Sequence, residues 1–296
     1  MKTITPAQQE IFLEPAQDEQ YCQENVIEIL HLKNGATLGA VHRSTTDSVS
    51  ADVSLYFDTG AYRDPIPGIA HLMEHLVSHN PDTTAKENDT HYAASTSART
   101  VYFIVAGVAN PDVQDFGVWP VLPVLLDTLR NPFIEREAED ALQKEKAVVI
   151  REYHETEPRR AKGFTRFIDT HLLGKKHPNH TPILGTEETV NSITTRDVTN
   201  YSSRLFTPHN LIIRVVTEGD LKTTHVLRDE IIRQFGTLES DKKPVRISQE
   251  IEDSLNPEYK NGSVYSKFWD DSRAPYTVNF AWLYQLPEYS FETIPE

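Results

Sequence analysis

Alternating apolar and polar positions predict that this chain mixes strands with helices. Period-two patterns predict strands within residues 26–43, where an Asn-Gly pair marks a hairpin turn, and over 50–60. Apolar runs predict further strands over 98–108, 210–219 and 276–286. Because a tight hairpin joins antiparallel neighbours, the sheet is at least partly antiparallel. The predicted fold class is therefore α+β and not a doubly wound fold.

The segments between these strands have the spacing of apolar residues that is typical of helices. Apolar positions at helical spacing predict helices over 65–79, 112–132 and 134–158. Shorter helix candidates cover 160–174, 195–206 and 223–236. The first helix follows two prolines and is expected to end near His79, which would cap it, and the third is expected to end before Pro158.

Composition narrows the class of protein. The chain has 296 residues, of which 38% are hydrophobic and 25% charged, and this balance predicts a folded globular protein. A net charge of −15 argues against binding to nucleic acid or to an anionic membrane surface. The single cysteine, Cys22, excludes an internal disulfide. Since no signal segment and no run of about 20 apolar residues is present, we expect a cytoplasmic protein.

The sequence HLMEH at residues 71–75 carries the strongest chemical signal. His71 and His75 are four residues apart, so on a helix both imidazoles lie on one face and can bind one metal ion. Glu74 lies beside this pair, where a carboxylate can take a proton from water that the metal activates. The pattern HxxEH is the inverse of the HExxH zinc motif, and a catalytic zinc ion takes three protein ligands.

The long helix predicted over 134–158 offers a third ligand. Glu145 and Glu152 fall on its apolar stripe, seven residues and about two turns apart. Buried carboxylates are costly unless they are paired or metal-bound, so one is a candidate ligand and the other a candidate support that orients a histidine. Two competing interpretations remain. Glu145 could lie at the margin of the apolar stripe without binding anything, and the HxxEH motif could occur by chance, with a probability of roughly a few per cent.

These residues resemble the pitrilysin family of inverzincin peptidases, which includes insulin-degrading enzyme and the mitochondrial processing peptidase. In that family HxxEH is followed by two glutamates seven residues apart, the second lying 77 residues after the second histidine. The same spacing separates His75 from Glu152 here. The approach FDTGAYRDPIPGIAHLMEHL is also similar to the family pattern, and the likeness spans about residues 27–240.

The resemblance implies a fold and a division of roles. It implies an α+β domain like that of the mitochondrial processing peptidase, with helices packed on a mostly antiparallel sheet. It also implies that His71, His75 and Glu152 bind one zinc ion, that Glu74 is the general base and that Glu145 supports the site. The expected function is that of a zinc-dependent metalloendopeptidase acting on peptides or unfolded segments.

The resemblance also bears on domain organisation and partners. We expect a polar N-terminal extension over 1–25 and a single pitrilysin-like catalytic domain over 26–296 that is incomplete at its C-terminal end. Family members close a second homologous domain or subunit over a peptide substrate, and that second domain is expected to be absent from this chain.

Two departures from the family pattern concern substrate binding. Tyr92 and Ser95 stand where the family has an asparagine and a threonine, and the asparagine contacts the substrate backbone in that family. Substrate-binding residues are therefore left unassigned. One alternative function is a non-catalytic scaffold or binding subunit, which typically loses ligands. Another is a lyase with the same helix motif, which needs a cysteine that this chain lacks after the motif.

Overall fold

The computed structural model describes residues 11–12, 25–44, 50–112, 114–115, 117–130, 138–161, 182–219 and 221–238. Helices and strands alternate within them, which confirms the predicted α+β class. The predicted strand over 276–286, most of the predicted helix over 160–174 and Cys22 lie outside the described residues. None of the described helices combines the length and the apolar run that crossing a bilayer requires.

The described elements make one sheet with helices around it. The strands are β1 (Ile11–Phe12), β2 (Asn25–His31), β3 (Thr37–Ser44), β4 (Ser50–Phe57), β5 (His91–Thr96), β6 (Val101–Val108) and β7 (Leu211–Gly219). The helices are α1 (Ile69–Glu87), α2 (Val118–Arg130), α3 (Ala138–Ala161), α4 (Glu187–Ser192), α5 (Thr195–Leu205) and α6 (Leu221–Phe235). Two short 3-10 turns lie over Ala61–Arg63 and Pro208–Asn210.

The sheet is mixed, with the strand order β1-β2-β3-β7-β4-β6-β5. Neighbouring strands run antiparallel except β3 and β7, which run parallel. The prediction of a mostly antiparallel sheet is therefore confirmed only in part. The parallel pairing sets His42 opposite Thr217, 175 positions further along the chain. Such a long-range pairing is not encoded by any local pattern. β1 lies within the extension predicted over 1–25 and joins the sheet beside β2.

The β2–β3 hairpin is confirmed, although its turn differs from the tight Asn-Gly type. His31 pairs with Thr37, which leaves five residues in the loop, and Gly35 alone among them has a positive φ, 96°. Asn34 instead donates its side-chain amide to the carbonyls of Phe235 and Leu238 at 2.9 and 3.0 Å. The asparagine therefore ties the hairpin to the end of α6 and does not occupy a two-residue turn.

Two helices run past the ends that were predicted for them. α1 continues to Glu87 with Pro81 inside it, and α3 continues to Ala161 past Pro158. The expectation that His79 caps the end of α1 is wrong. An interior proline costs a helix about 3 kcal/mol, and the buried packing of α1 against α2 and the sheet outweighs that cost.

Helices cover one face of the sheet and build the core there. α1 packs on β5 and β6, α2 on β6, and α6 on β3 and β7, whereas α3 packs on α1. The largest fully buried side chains are Phe57, Phe103, Phe235, Leu38, Leu55, Ile69, Leu72, Met73, Leu122, Leu125, Leu142 and Ile193. The two helices that carry the candidate site residues, α1 and α3, therefore lie side by side, with α1 fixed to the sheet.

The packing of the core predicts that alanine substitutions at neighbouring positions of β6 lower the stability by very different amounts. Phe103 is 0% exposed and its ring lies 6.4 Å from that of Phe57, whereas Ile104 is only partly buried on the opposite face. We expect Phe103→Ala to lower the unfolding free energy by about 3–5 kcal/mol and Ile104→Ala by about 1 kcal/mol. Urea unfolding followed by circular dichroism measures both, and equal losses would contradict the assignment of the core face.

Candidate metal centre

Two histidines project from successive turns of α1 towards α3. The rings of His71 and His75 lie 4.7 Å apart between centroids at an interplanar angle of 74°. His71 is 6% exposed, so the pair is set into the protein. The apolar side of the same helix is buried at Ile69, Ala70, Leu72, Met73, Leu76 and Val77. The packing of α1 thus fixes the direction of both imidazoles.

Two glutamates of α3 meet these histidines at different ring nitrogens. Glu152 Oε2 lies 3.6 Å from His71 Nε2 and 3.5 Å from His75 Nε2. Glu145 Oε2 lies 3.5 Å from His75 Nδ1. The structure therefore separates the two carboxylates, which the helical stripe alone left open. Glu152 meets both Nε2 atoms, and Glu145 contacts the far side of one histidine.

The donor set and its spacing fit a zinc ion. His71, His75 and Glu152 each offer one ligand atom, and these atoms all lie within 4.8 Å of one another. Zinc binds histidine nitrogen and carboxylate oxygen at about 2.0–2.2 Å, so tetrahedral ligands lie about 3.3–3.6 Å apart. The separations of 3.5 and 3.6 Å to Glu152 Oε2 match that range. These three residues could therefore hold a metal ion.

Glu74 lies next to this group and is held by the edge strand of the sheet. It is 9% exposed, and its Oε2 lies 4.0 Å from His71 Nε2. Thr96 of β5 donates its hydroxyl to the same oxygen at 2.7 Å. Thr96 was not among the predicted site residues. Strand alternation, which sends neighbouring side chains to opposite faces, was the signal that could have identified Thr96.

The electrostatics of the cluster favour a cation. Burial raises the pKa of Glu74 above its ordinary value, although the hydrogen bond from Thr96 and the charge of His75 act in the opposite direction. Burial alone lowers the pKa of His75, but the contacts with Glu145 and Glu152, together with the charges of Glu74 and Glu152, outweigh burial and raise that pKa to about 9. Positive charge is therefore stabilised at the point where the glutamates converge.

A groove of about 310 Å³ opens beside the cluster. Its lining residues come from α1, β5 and α3 and are Glu74, His75, Ser78, His79, Asp82, Tyr92, Ala93, Ala94 and Glu145. Tyr92 donates its hydroxyl to Ser78 Oγ at 3.2 Å, and burial raises the pKa of this phenol. Tyr92 therefore forms part of the groove wall and is held against α1.

The start of α1 is held by hydrogen bonds that the motif does not reveal. Its N-cap residue, Gly68, has a φ of 95° and no side chain to cap the helix. Asp64 Oδ2 accepts hydrogen bonds from the backbone N–H groups of Gly68 and Ala70 at 3.0 and 3.4 Å. The hydroxyl of Tyr201, on α5, lies 3.2 Å from Asp64 Oδ1. These contacts anchor the turn from which His71 projects, across 137 positions of sequence.

Comparison with known proteins identifies the family to which this fold and site belong. Residues 40–187 match the family described as Insulinase (Peptidase family M16), and the chain belongs to this family. The mitochondrial-processing peptidase subunit beta of Neurospora crassa is 28% identical over 194 residues, which cover 62% of this chain and 38% of that protein. The chain thus spans less than half the length of the curated relatives it matches.

Solved structures share the fold at low sequence identity. Pitrilysin superposes with a TM-score of 0.63 at 16% identity, over 81% of this chain and 26% of that chain. An inactive peptidase M16 domain from Pseudomonas fluorescens superposes with a TM-score of 0.62 at 15% identity, over 75% of this chain and 53% of that chain. Because a domain described as inactive has the same fold, activity has to be argued from the side chains of the site.

Asp64 predicts a specific dependence of stability on pH. Burial raises its pKa from 3.8 to about 8 despite the hydrogen bonds it accepts. Between these values the folded chain holds a proton that the unfolded chain releases, so the contribution of Asp64 to stability falls as pH rises. The slope of that contribution reaches at most about 1.4 kcal/mol per pH unit. We expect Asp64→Asn to remove it.

Urea unfolding from about pH 5 to about pH 8 measures this slope. The matched control is Asp58→Asn, which changes an exposed carboxylate in an ion pair with Arg63 and should keep the wild-type slope. Parallel curves for wild type and Asp64→Asn would show that Asp64 does not titrate in this way.

Proposed function

We propose that this chain provides the catalytic domain of a zinc-dependent metalloendopeptidase that hydrolyses peptides or unfolded segments. The observation that supports it most directly is the convergence of His71 Nε2 and His75 Nε2 on Glu152 Oε2, with Glu74 beside them. Membership of a peptidase family gives the reaction class, and the complete set of candidate ligands favours an enzyme over a non-catalytic scaffold.

The metal would be held by His71, His75 and Glu152. A zinc ion bound there supplies Lewis acidity, which lowers the pKa of water towards about 7 and polarises the carbonyl of the scissile peptide bond. The contribution of the chain is to place two neutral imidazole nitrogens and one carboxylate oxygen in a fixed arrangement between α1 and α3.

Glu74 is the group that moves the proton. Its Oε2 takes a proton as the water oxygen adds to the carbonyl carbon, and it returns that proton to the amine nitrogen as the carbon–nitrogen bond breaks. The hydrogen bond from Thr96 at 2.7 Å fixes the carboxylate beside the ligands.

Glu145 orients a ligand and does not bind the metal itself in this proposal. Its carboxylate faces His75 Nδ1 at 3.5 Å, so the proton of a neutral imidazole is held on Nδ1 and Nε2 is left to coordinate. Loss of this contact frees the ring to rotate.

The substrate would lie in the groove beside β5, and a second homologous domain or subunit would complete the site. The groove opens directly beside Glu74 and His75, so a peptide backbone bound there would lie next to the proposed reacting groups. The Neurospora crassa relative is itself named as a subunit. We propose a partner of the same kind for this chain.

The metal assignment predicts one zinc ion per chain. His71→Ala should lower zinc affinity by more than about 100-fold, because it removes a direct ligand. Glu145→Gln should lower zinc affinity by about 10–100-fold, because it removes only the support of His75. Competition with a chromophoric chelator and elemental analysis measure both.

The control for the metal assignment is His79→Ala, an exposed histidine two turns along the same helix. This variant should bind zinc as the wild type does. Full zinc occupancy in His71→Ala, or equal losses in the His71 and His79 variants, would overturn the ligand assignment.

If Glu74 is the general base and not a ligand, replacing it should lower the turnover rate and leave zinc binding unchanged. Glu74→Gln should keep its zinc but hydrolyse an unfolded protein or a fluorogenic peptide library at least about 100-fold more slowly. Near-normal activity in this variant would refute the mechanism. A wild-type chain that binds zinc yet cleaves no peptide, alone or with a homologous second domain, would favour the binding subunit.

A further inference from the structure

Residues 182–205 contact both helices that carry the candidate ligands, although they carry none of those ligands themselves. This region, called here the clamp segment, contains a short turn followed by α4 and α5. One part of it lies against the N-terminus of α1, and another part lies along α3.

The contact with α1 is made by backbone and by one buried phenol. A Cβ on Gly68 would lie 2.5 Å from the carbonyl oxygen of Leu184, and a Cβ on Gly185 would lie 2.4 Å from the carbonyl oxygen of Pro67. The two chain segments can therefore approach only because both residues are glycines. Tyr201, 3% exposed, completes the contact through Asp64.

The contact with α3 is a row of polar bonds along one side of the helix. Thr195 donates its hydroxyl to Glu139 Oε2 at 2.7 Å, and Lys146 donates Nζ to the carbonyl of Asn191 at 3.0 Å. One further pair joins His154 Nε2 to Glu187 Oε2 at 3.0 Å. The helix positions are seven and eight residues apart, so they share a face.

Of the residues in this row, Lys146 would lose the most stability without its partner. It is 4% exposed, and a buried ammonium group is costly unless an acceptor offsets its desolvation. The acceptor belongs to the last turn of α4, where backbone carbonyls lack partners within the helix and carry partial negative charge. Because Lys146 follows Glu145 directly, this bond also fixes the rotation of α3 about its axis.

We propose that the clamp segment sets the distance between the two ligand-bearing helices, with Lys146 and Tyr201 as positioning residues for the metal centre. Tyr201 holds the turn of α1 that carries His71, and Lys146 holds the rotation of α3 that presents Glu152. Metal sites require ligand distances within about 0.2 Å, so small shifts of either helix weaken binding. This inference rests on the metal site of the proposed function and not on peptidase activity.

The test removes one polar group at each end of the clamp segment. Lys146→Met keeps the aliphatic stem and removes the amine, and Tyr201→Phe keeps the ring and removes the hydroxyl. We expect each to weaken zinc binding about 3- to 10-fold, measured by chelator competition, and to change the visible absorption bands of the cobalt(II)-substituted chain. Those bands report ligand geometry, which a general loss of stability would leave unchanged in the folded fraction.

Two control variants remove a lysine amine and a tyrosine hydroxyl at other positions of the chain. Lys144→Met changes an exposed lysine of the same helix, and Tyr56→Phe changes a partly exposed phenol of β4 that packs beside Tyr102. Both should keep wild-type zinc affinity and cobalt spectra. If Lys146→Met does not fold, Thr195→Val, which removes the neighbouring bond to Glu139, takes its place.

The double variant distinguishes one clamp from two separate supports. Since both contacts act through the same segment, losing one should make the other less effective, so the double variant should weaken zinc binding less than the product of the single effects. A multiplicative loss, or single variants with wild-type affinity and spectra, would overturn the inference. A wild-type chain that binds no zinc would instead overturn the proposed function.

Discussion

The crowding of two imidazoles and three carboxylates between α1 and α3 is the constraint on which the rest of this structure depends. Glu74, Glu145 and Glu152 all lie within 4.0 Å of a histidine nitrogen, and His71 and Glu74 are buried. Negative groups at this density are stable only with a compensating positive charge. A proton on His75 is one such charge, and a divalent cation between the three ligand atoms is the stronger one.

The fold supplies the rigidity that this arrangement needs. α1 is fixed to the sheet by its packing on β5 and β6, and α3 is fixed in turn by α1, α4 and α5. The candidate ligands therefore lie on two packed helices and not on a free loop, which favours a fixed ligand geometry. A related domain described as inactive has the same fold, so the fold alone does not indicate activity; in this chain the candidate ligands are His71, His75 and Glu152.

The sequence predicted the parts of the site that depend on local periodicity. His71, Glu74 and His75 are placed by the spacing of one helix, and Glu145 and Glu152 by that of another. The assignment of Glu152, and not Glu145, as the residue that contacts the Nε2 atoms came from the family resemblance. The apolar stripe of the helix did not distinguish the two glutamates.

The remaining contacts join distant positions. The bond between Tyr201 and Asp64 spans 137 positions and that between Lys146 and Asn191 spans 45, so neither leaves a local pattern. The parallel β3–β7 pairing was missed for the same reason. The ends of α1 and α3 were misplaced because tertiary packing carried both helices past a proline.

The most direct test of this account is anomalous diffraction from crystals of the zinc-loaded chain, recorded on both sides of the zinc absorption edge. If these three residues bind zinc, a single strong anomalous peak should lie within about 2.0–2.2 Å of His71 Nε2, His75 Nε2 and a carboxylate oxygen of Glu152. Well-ordered side chains at these three residues without such a peak, or a peak coordinated by other residues, would contradict it.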